Sequence, residues 1–258
     1  MSKFGVIGNP VDHSLSPMIH HEFAKEFDIE ISYEKILSPV EAFNLTAEKF
    51  MSAGSSGFNI TLPFKINAYN FADDLTDEAK AAGAVNTIKI DNNIIFGENT
   101  DGKGLVNDLE RNLEQTLRDK EILIIGAGGA TRGILKPILD KKPEKILLAN
   151  RTKEKSLRLA NEFSKYGKVC GFGIDQIKPK PVDIVINATS NSINGTMLNL
   201  PKGLCEGALC YDLMYGSETP FMKWALKDSA LIISDGLGML VEQAALSFEF
   251  WFGKKPST

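Results

Sequence analysis

Apolar positions along the chain fall into two spacings. Short apolar runs at Phe4 to Ile7, Ile31 to Leu37 and Phe58 to Thr61 have the length of strands, and the segments Pro17 to Phe27 and Val40 to Met51 between them have helical spacing. Ile19, Phe23 and Phe27 recur every four residues as one apolar stripe, and Ser16 before Pro17 supplies an N-cap with proline in the first turn. Val85 to Ile90 and Ile94 to Phe96, joined by Asp91-Asn92-Asn93, predict a hairpin, so this sheet mixes parallel and antiparallel neighbours.

Asp101 then caps a helix whose Leu105, Leu109 and Leu113 share a face, and residues 114–121 lead into a second series. It runs Ile122 to Ile125, a glycine-rich turn, a helix from about Ala130 to Leu139, Ile146 to Ala149, another helix, Val182 to Ile186, Ala208 to Tyr211 and Leu231 to Ile233. Strand and helix alternating in this way predict a parallel sheet. Pro137 should kink its helix or end it early. The amphipathic segment Met239 to Phe252 is expected to pack back on the first domain. The pattern therefore predicts an α/β protein of two domains with a cleft between them: a mixed-sheet domain over residues 1–102, completed by the C-terminal helix at 239–258, and a doubly wound domain over 103–238.

Composition narrows the function. With 43% hydrophobic and 24% charged residues, the 258-residue chain can bury real cores, which argues against disorder, collagen and coiled coil. The net charge is -4 and no long basic run is present, so nucleic acid is not an expected partner. No apolar stretch approaches the roughly 18 residues that span a bilayer, and the opening Met1 to Gly8 lacks a signal-peptide apolar region, which points to the cytoplasm. Cys170, Cys205 and Cys210 match neither a zinc nor a disulfide spacing and read as buried, reduced thiols. His13, His20 and His21 are the histidines of the chain, and the rings of adjacent helical residues diverge, so no metal site is expected.

The candidate chemistry lies at strand ends. Gly126-Ala127-Gly128-Gly129-Ala130 follows an apolar strand and opens a helix, the context in which glycines let a backbone approach a pyrophosphate at the positive helix end. The sixth position is Thr131 rather than glycine. At the end of the next strand Asn150-Arg151-Thr152 stands where an NAD site would carry an acid; Arg151, with Thr152 and with Lys155 one turn on, suits a 2′-phosphate and hence NADP. Read alone, these are equally the solvated charges of a helix start.

Four further polar clusters stand apart from that region. They are Asn9 to Pro17 with Ser14 and Ser16 beside a helix start, Gly57 to Lys65 with Asn59, Thr61 and Lys65, Gly83 to Thr87, and Gly97 to Gly102. Lys65 and Asp101, taken without further context, also fit a surface lysine at a helix start and a helix cap.

These motifs, in order and spacing, resemble the shikimate dehydrogenase family of the single-function bacterial kind over nearly the whole chain. Ser14-Leu15-Ser16-Pro17, Asn59-Ile60-Thr61-Leu62-Pro63-Phe64-Lys65, Ala84-Val85-Asn86-Thr87 and Asn99-Thr100-Asp101-Gly102 fit the family pattern. So do the glycine turn, Asn150-Arg151-Thr152, Asn187-Ala188-Thr189-Ser190, Tyr211 to Tyr215 and Gly236 to Ala244. His21, where asparagine is common, and Gly133, where alanine is usual, are mild departures.

The resemblance implies NADPH-dependent reduction of 3-dehydroshikimate to shikimate, a step of aromatic amino acid biosynthesis. It implies Lys65 and Asp101 as the catalytic pair, Ser14, Ser16 and Tyr215 at the substrate carboxylate, and Asn59, Thr61, Asn86, Asp101 and Gln243 at its hydroxyls. It implies cofactor contacts at Asp77, Gly126 to Ala130, Asn150, Arg151, Thr152, Lys155, Thr189, Leu213, Gly236 and Gly238. A monomer or a homodimer is compatible with it. The alternatives are a quinate/shikimate dehydrogenase of broader cofactor use and a regulatory module that binds cofactor without turnover.

Overall fold

The computed structural model describes residues 1–189 and 199–258; Ser190 of the Asn187-Ala188-Thr189-Ser190 motif lies outside the described residues. The chain divides into two compact units, Met1–Leu105 with Leu240–Thr258, and Val106–Met239.

The first unit contains β1 (Ser2–Gly8), α1 (Ser16–Glu26), β2 (Ile31–Leu37), α2 (Phe43–Ser52), β3 (Gly57–Ile60), α3 (Lys65–Phe71), β4 (Asp74–Leu75), α4 (Asp77–Ala82), β5 (Thr87–Asp91), β6 (Ile94–Glu98) and the start of α5 (Asp101–Asn107). Its described strands run β2-β1-β3-β5-β6-β4. β1 is parallel to β2 and β3, whereas β5 is antiparallel to both of its neighbours, β3 and β6, so the sheet is mixed and contains the expected hairpin. Alternation along β1 divides the core between two faces. Phe4 and Val6 pack with Ile19, Phe23, Tyr33, Phe248 and Trp251, while Ile7 packs with Phe43, Phe50, Phe58, Phe64 and Ile88. Phe248 and Trp251 belong to α9 (Leu237–Phe252), whose apolar stripe is thereby buried in this unit.

The second unit contains β7 (Glu121–Ile125), α6 (Gly129–Asp140), β8 (Lys145–Asn150), α7 (Lys153–Phe163), β9 (Val169–Gly173), β10 (Ile184–Asn187), β11 (Leu209–Asp212), α8 (Pro220–Lys227) and β12 (Ile232–Ser234). The described strands are all parallel in the order β9-β8-β7-β10-β11-β12. The chain winds outward from β7 to one side and then from β10 to the other. This is the doubly wound arrangement that presents ligands at the carboxyl ends of its central strands.

Several local expectations are corrected. Ser16 is the first residue of α1 and Leu15 holds the cap position; the backbone N–H of Ser16 instead donates to Ser14 Oγ at 3.3 Å. Asp101 likewise opens α5 rather than capping it, and its carboxylate is engaged by the side chains of Lys65 and Asn86. α5 gives way to a π-helical turn over Asp108–Asn112, which keeps Leu105 and Leu109 buried but leaves Leu113 partly exposed. α6 runs through Pro137 to Asp140, its buried Ile134, Leu135, Ile138 and Leu139 holding it past the missing N–H. Cys170 is exposed, whereas Cys205 and Cys210 are buried free thiols. Among the described residues no helix is long and apolar enough to cross a membrane.

His20 is the unusual member of the first core. Its ring stacks on Tyr33 with centroids 4.8 Å apart and lies 5.0 Å from the Trp251 ring, and among the described residues neither nitrogen has a hydrogen-bond partner. Burial holds the imidazole neutral, lowering its pKa from 6.5 to about 3. The unfolded chain therefore binds a proton between those limits that the folded chain refuses. Stability from this source is complete above pH 6.5 and is lost as pH falls toward about 3. His20→Phe should remove about 2 kcal/mol of the stability loss seen between pH 7 and pH 5, measured by urea unfolding at both values. An unchanged difference between the two pH values would show that His20 takes up a proton while folded.

Candidate active site

Strand register assembles the first cluster. The antiparallel pairs Asn59↔Thr87 and Thr87↔Glu98 bring the end of β3 and the start of β5 beside the end of β6. Lys65, which opens α3, and Asp101, which opens α5, then meet over that end: Lys65 Nζ donates to Asp101 Oδ2 at 2.6 Å. Their side chains are 14% and 6% exposed, so neither is a solvated surface charge. Asn86 Nδ2 donates to the other carboxylate oxygen, Oδ1, at 2.9 Å. A carboxylate held on one oxygen by an amide presents the second in a set direction, and the ammonium follows it.

Around this pair lies a nearly complete buried polar network. Gln243 from α9 donates through Nε2 to the Leu240 carbonyl at 2.9 Å, and its Oε1 accepts from Asn86 Nδ2 at 3.1 Å and Thr100 Oγ1 at 3.3 Å. Its oxygen is thus committed to the protein, and among the described residues one amide N–H is left over. Asn99 holds the turn before Asp101, donating to the Ala84 carbonyl and accepting from the Asp101 N–H. Glu98 accepts from Thr76 Oγ1 and the Asn99 N–H; burial pushes its carboxyl up and those two bonds oppose the rise.

The other residues expected at the substrate divide into two groups. Ser14 and Ser16 stand together at the start of α1, both buried, with Ser14 Oγ donating to Ser16 Oγ at 3.2 Å. Thr61, just past β3, is half-buried, and its methyl fills the space over Gly8, where a Cβ would lie 2.3 Å away. Asn59 differs: its Oδ1 accepts from the Tyr33 hydroxyl at 2.7 Å, and its Nδ2 faces the Asn86 carbonyl, Thr87 Oγ1 and Ser247 Oγ. Its amide is taken up by the protein behind Asn86. Ser247 and Tyr33 escaped the sequence reading, and Thr87 entered it as a member of the Ala84 to Thr87 motif without a role of its own. Tyr215 is half-buried on the loop after β11, in the second unit, and Asp77 is exposed at the start of α4.

In the second unit the glycine turn links β7 to α6. Gly126 has φ +116°, and a Cβ there would meet the Ala188 carbonyl oxygen at 2.9 Å, so only glycine fits. Thr131 takes the place of the third glycine and donates from Oγ1 to the Gly126 carbonyl at 3.0 Å, which ties the turn to the helix. Among the described residues no side chain caps α6, its first turn carries no acid, and nothing lies within 4 Å of where a Gly128 Cβ would be. An uncapped helix start under open space fits a pyrophosphate.

Beside it, Asn150 ends β8 and bonds the Thr152 carbonyl, leaving Arg151, Thr152 and Lys155 exposed at the start of α7. Thr189 is fixed by Asn187 Oδ1, which accepts from both its N–H and its hydroxyl. Leu213 follows Asp212, a fully buried carboxylate that accepts from Asn187, Thr219 and the Met214 N–H. Gly236 and Gly238 allow close approach, since a Cβ would lie 2.4 Å from the Leu213 carbonyl oxygen and 2.0 Å from Asp108 Oδ1 respectively.

Comparison with known proteins agrees across the chain. Residues 6–88 match the profile of the shikimate dehydrogenase substrate binding domain, residues 108–195 that of shikimate / quinate 5-dehydrogenase, and residues 236–258 that of the shikimate 5'-dehydrogenase C-terminal domain. The shikimate dehydrogenase (NADP(+)) of Ruthia magnifica subsp. Calyptogena magnifica is 57% identical over 258 residues, covering 100% of this chain and 97% of that protein. The crystal structure of an Ael1 enzyme from Pseudomonas putida aligns with a TM-score of 0.89 at 38% identity, covering 100% and 96% of the two chains. Shikimate 5-dehydrogenase from Thermus thermophilus, solved with NADP(H) and shikimate, aligns at 0.87 and 31% identity over 100% and 95%.

The two glycines of the turn should separate folding from binding. Gly126→Ala forces a side chain into a strained φ and a carbonyl, and should cost about 1–3 kcal/mol in thermal unfolding. Gly128→Ala should leave the melting temperature unchanged and weaken NADPH binding about tenfold, read by nucleotide fluorescence. Equal melting temperatures for both variants would contradict the strain at Gly126.

Proposed function

The chain belongs to the shikimate dehydrogenase family, and we propose from that membership how its residues share the reaction it catalyses, the NADP-dependent, reversible reduction of 3-dehydroshikimate to shikimate in aromatic biosynthesis. The observation that carries the proposal is the Lys65–Asp101 pair, 2.6 Å apart with its second carboxylate oxygen held by Asn86.

NADPH, when bound, supplies the hydride. As the substrate carbonyl is reduced, negative charge grows on its oxygen, and Lys65 is the ammonium that stabilises this charge and donates the proton. Asp101 aims it, and returns as its partner when the reaction runs backward and Lys65 must take a proton. Ser14 and Ser16 bind the substrate carboxylate with their hydroxyls at the positive start of α1. Thr61 and the leftover N–H of Gln243 meet substrate hydroxyls, whereas Asn86 and, behind it, Asn59 act as positioning residues, Asn86 through its bond to Asp101. The first unit holds the substrate.

The turn from Gly126 to Ala130 holds the pyrophosphate of NADP, and Arg151, Thr152 and Lys155 hold its 2′-phosphate. The ligands are free small molecules, and we place their turnover in the cytoplasm.

Lys65→Ala, if folded, should lower kcat by about 10²- to 10⁴-fold, the range for loss of a positioned acid. NADPH oxidation followed by absorbance with 3-dehydroshikimate measures it, and an unchanged kcat would remove Lys65 from the chemistry. Arg151→Ala should raise KM for NADPH and hardly alter that for NADH, because NADH lacks the 2′-phosphate. Equal losses for the two nucleotides would place Arg151 elsewhere.

A further inference from the structure

Asn86 has more acceptors than donors around its nitrogen. Nδ2 carries two N–H groups and stands near Thr100 Oγ1 at 2.8 Å, Asp101 Oδ1 at 2.9 Å and Gln243 Oε1 at 3.1 Å. Which two it serves depends on the rotation of the amide plane, and that rotation is set by what holds the amide oxygen. Asn86 Oδ1 accepts from the Thr100 N–H at 2.9 Å and from the Thr87 hydroxyl at 3.0 Å. An amide oxygen has two lone pairs in its plane. With both filled the plane is locked; with the Thr100 bond alone it can pivot toward Thr100 and Gln243 and abandon Asp101.

The Thr87 hydroxyl has one proton and two acceptors in reach, Asn86 Oδ1 at 3.0 Å and Ser247 Oγ at 2.7 Å, and Asn59 Nδ2 donates to it at 3.0 Å. When Ser247 gives its own proton to Thr87 rather than to the Gln243 carbonyl 3.0 Å away, the Thr87 proton goes to Asn86. Asn59 keeps its nitrogen on this side because Nδ2 also faces the Asn86 carbonyl at 3.2 Å and because Oδ1 accepts from Tyr33 at 2.7 Å. Burial pushes the Tyr33 phenol well above its ordinary pKa, so it remains a donor. In that arrangement hydrogen bonds run in one direction from Tyr33 through Asn59, Thr87 and Asn86 to Asp101, where Lys65 donates to the other carboxylate oxygen. Chains of this kind polarise one another in a low-dielectric interior, and Thr87 is fully buried.

We infer that Thr87 is a positioning residue for the reduction: its hydroxyl proton locks the Asn86 amide so that one N–H is always given to Asp101 Oδ1, which leaves Oδ2 for Lys65. The inference rests on Lys65 and Asp101 being the working pair. A flip of Asn59 would draw the Thr87 proton to the Asn59 oxygen instead, so Tyr33 supports the same arrangement from two links away.

Two substitutions at one site separate this role from packing. Thr87→Val keeps the shape and removes the hydroxyl; Thr87→Ser keeps the hydroxyl and removes the methyl. Steady-state reduction of 3-dehydroshikimate should show kcat roughly tenfold lower for valine, a partial loss of what the acid supplies, with KM for NADPH unchanged. Serine should restore kcat close to wild type. A packing role alone predicts the opposite order, with serine the poorer enzyme. Wild-type kcat in the valine protein, or serine as slow as valine, overturns the inference.

Should the valine protein fail to fold, Tyr33→Phe carries the test: its kcat should also fall, and an unchanged kcat overturns the inference. Lys65→Ala run alongside keeps the two readings apart. If it is slow while Thr87→Val is not, only the role of Thr87 falls; if it is as fast as wild type, the pair itself fails.

Discussion

The requirement that every buried amide and hydroxyl near Asn86 find a partner shapes the first unit. Leaving one such group unpaired costs about 1–3 kcal/mol, a large share of a domain's net stability. Asn59, Asn86, Thr87, Thr100, Gln243 and Ser247 are all buried, and none could be satisfied by its own element alone. The antiparallel register of β3, β5 and β6 supplies four of them, and the C-terminal helix supplies Gln243 and Ser247 one turn apart. The return of residues Leu240–Thr258 to this unit thus completes a polar core as well as an apolar one. The same bonds orient Asp101, so the demand for satisfied polar groups and the demand for a directed ammonium are met by one set of contacts.

The second unit solves a similar problem with buried carboxylates held by neutral donors. Asp212 is gripped by Asn187, Thr219 and the Met214 N–H, and Asp108 by the Tyr211 hydroxyl and Asn112. Burial and then the neighbouring Asp108 push the Tyr211 phenol up, which keeps its proton available to that carboxylate. The Tyr211 oxygen also accepts from the Met239 N–H. These bonds fix the segments after β10 and β11 and the start of α9, the stretches that carry Thr189, Leu213, Gly236 and Gly238. Rigid strand ends are what a nucleotide site requires, since ordering loops on binding would weaken it.

How much could be read beforehand depended on whether a residue's task shows in local pattern. β1, β2, β3, the hairpin of β5 and β6, and the strands of the second unit other than β9 carried strong apolar periodicity, and the glycine turn carried its own chemistry. β9 was not legible because Val169-Cys170-Gly171-Phe172-Gly173 has two glycines, which read as loop. The structure gives the reason for one of them: a Cβ on Gly171 would lie 2.3 Å from the Ser156 carbonyl oxygen, so the strand owes its place to close packing against α7. β4, with two residues, is too short to show any period. Cys170 was expected inside on the habit of its residue type, but it lies on that edge strand and is exposed. Ser16 and Asp101 were read as caps because their types favour caps, whereas Ser16 stands inside the first turn with its N–H bonded to the neighbouring Ser14 hydroxyl, and side chains distant in sequence hold the carboxylate of Asp101.

Asn59 shows why a motif residue's type does not settle its task. It sits in a strand among apolar residues, and alternation puts Phe58 and Ile60 on the face that packs with Phe43 and Phe64. Asn59 must then point to the opposite face, where Tyr33 and Ser247 lie, and a polar group there is buried unless it reaches an edge. Thr61 has the same alternation but stands beyond the last residue of β3, where its N–H still bonds the Ile7 carbonyl and its side chain is only half-buried. Two polar residues two apart in one motif are thus divided by the end of a strand. The first becomes part of the support behind Asn86, and the second remains free to meet a ligand. Strand ends therefore do more than carry functional residues to one edge: they decide which polar side chains of a motif are consumed by the protein and which are left to act.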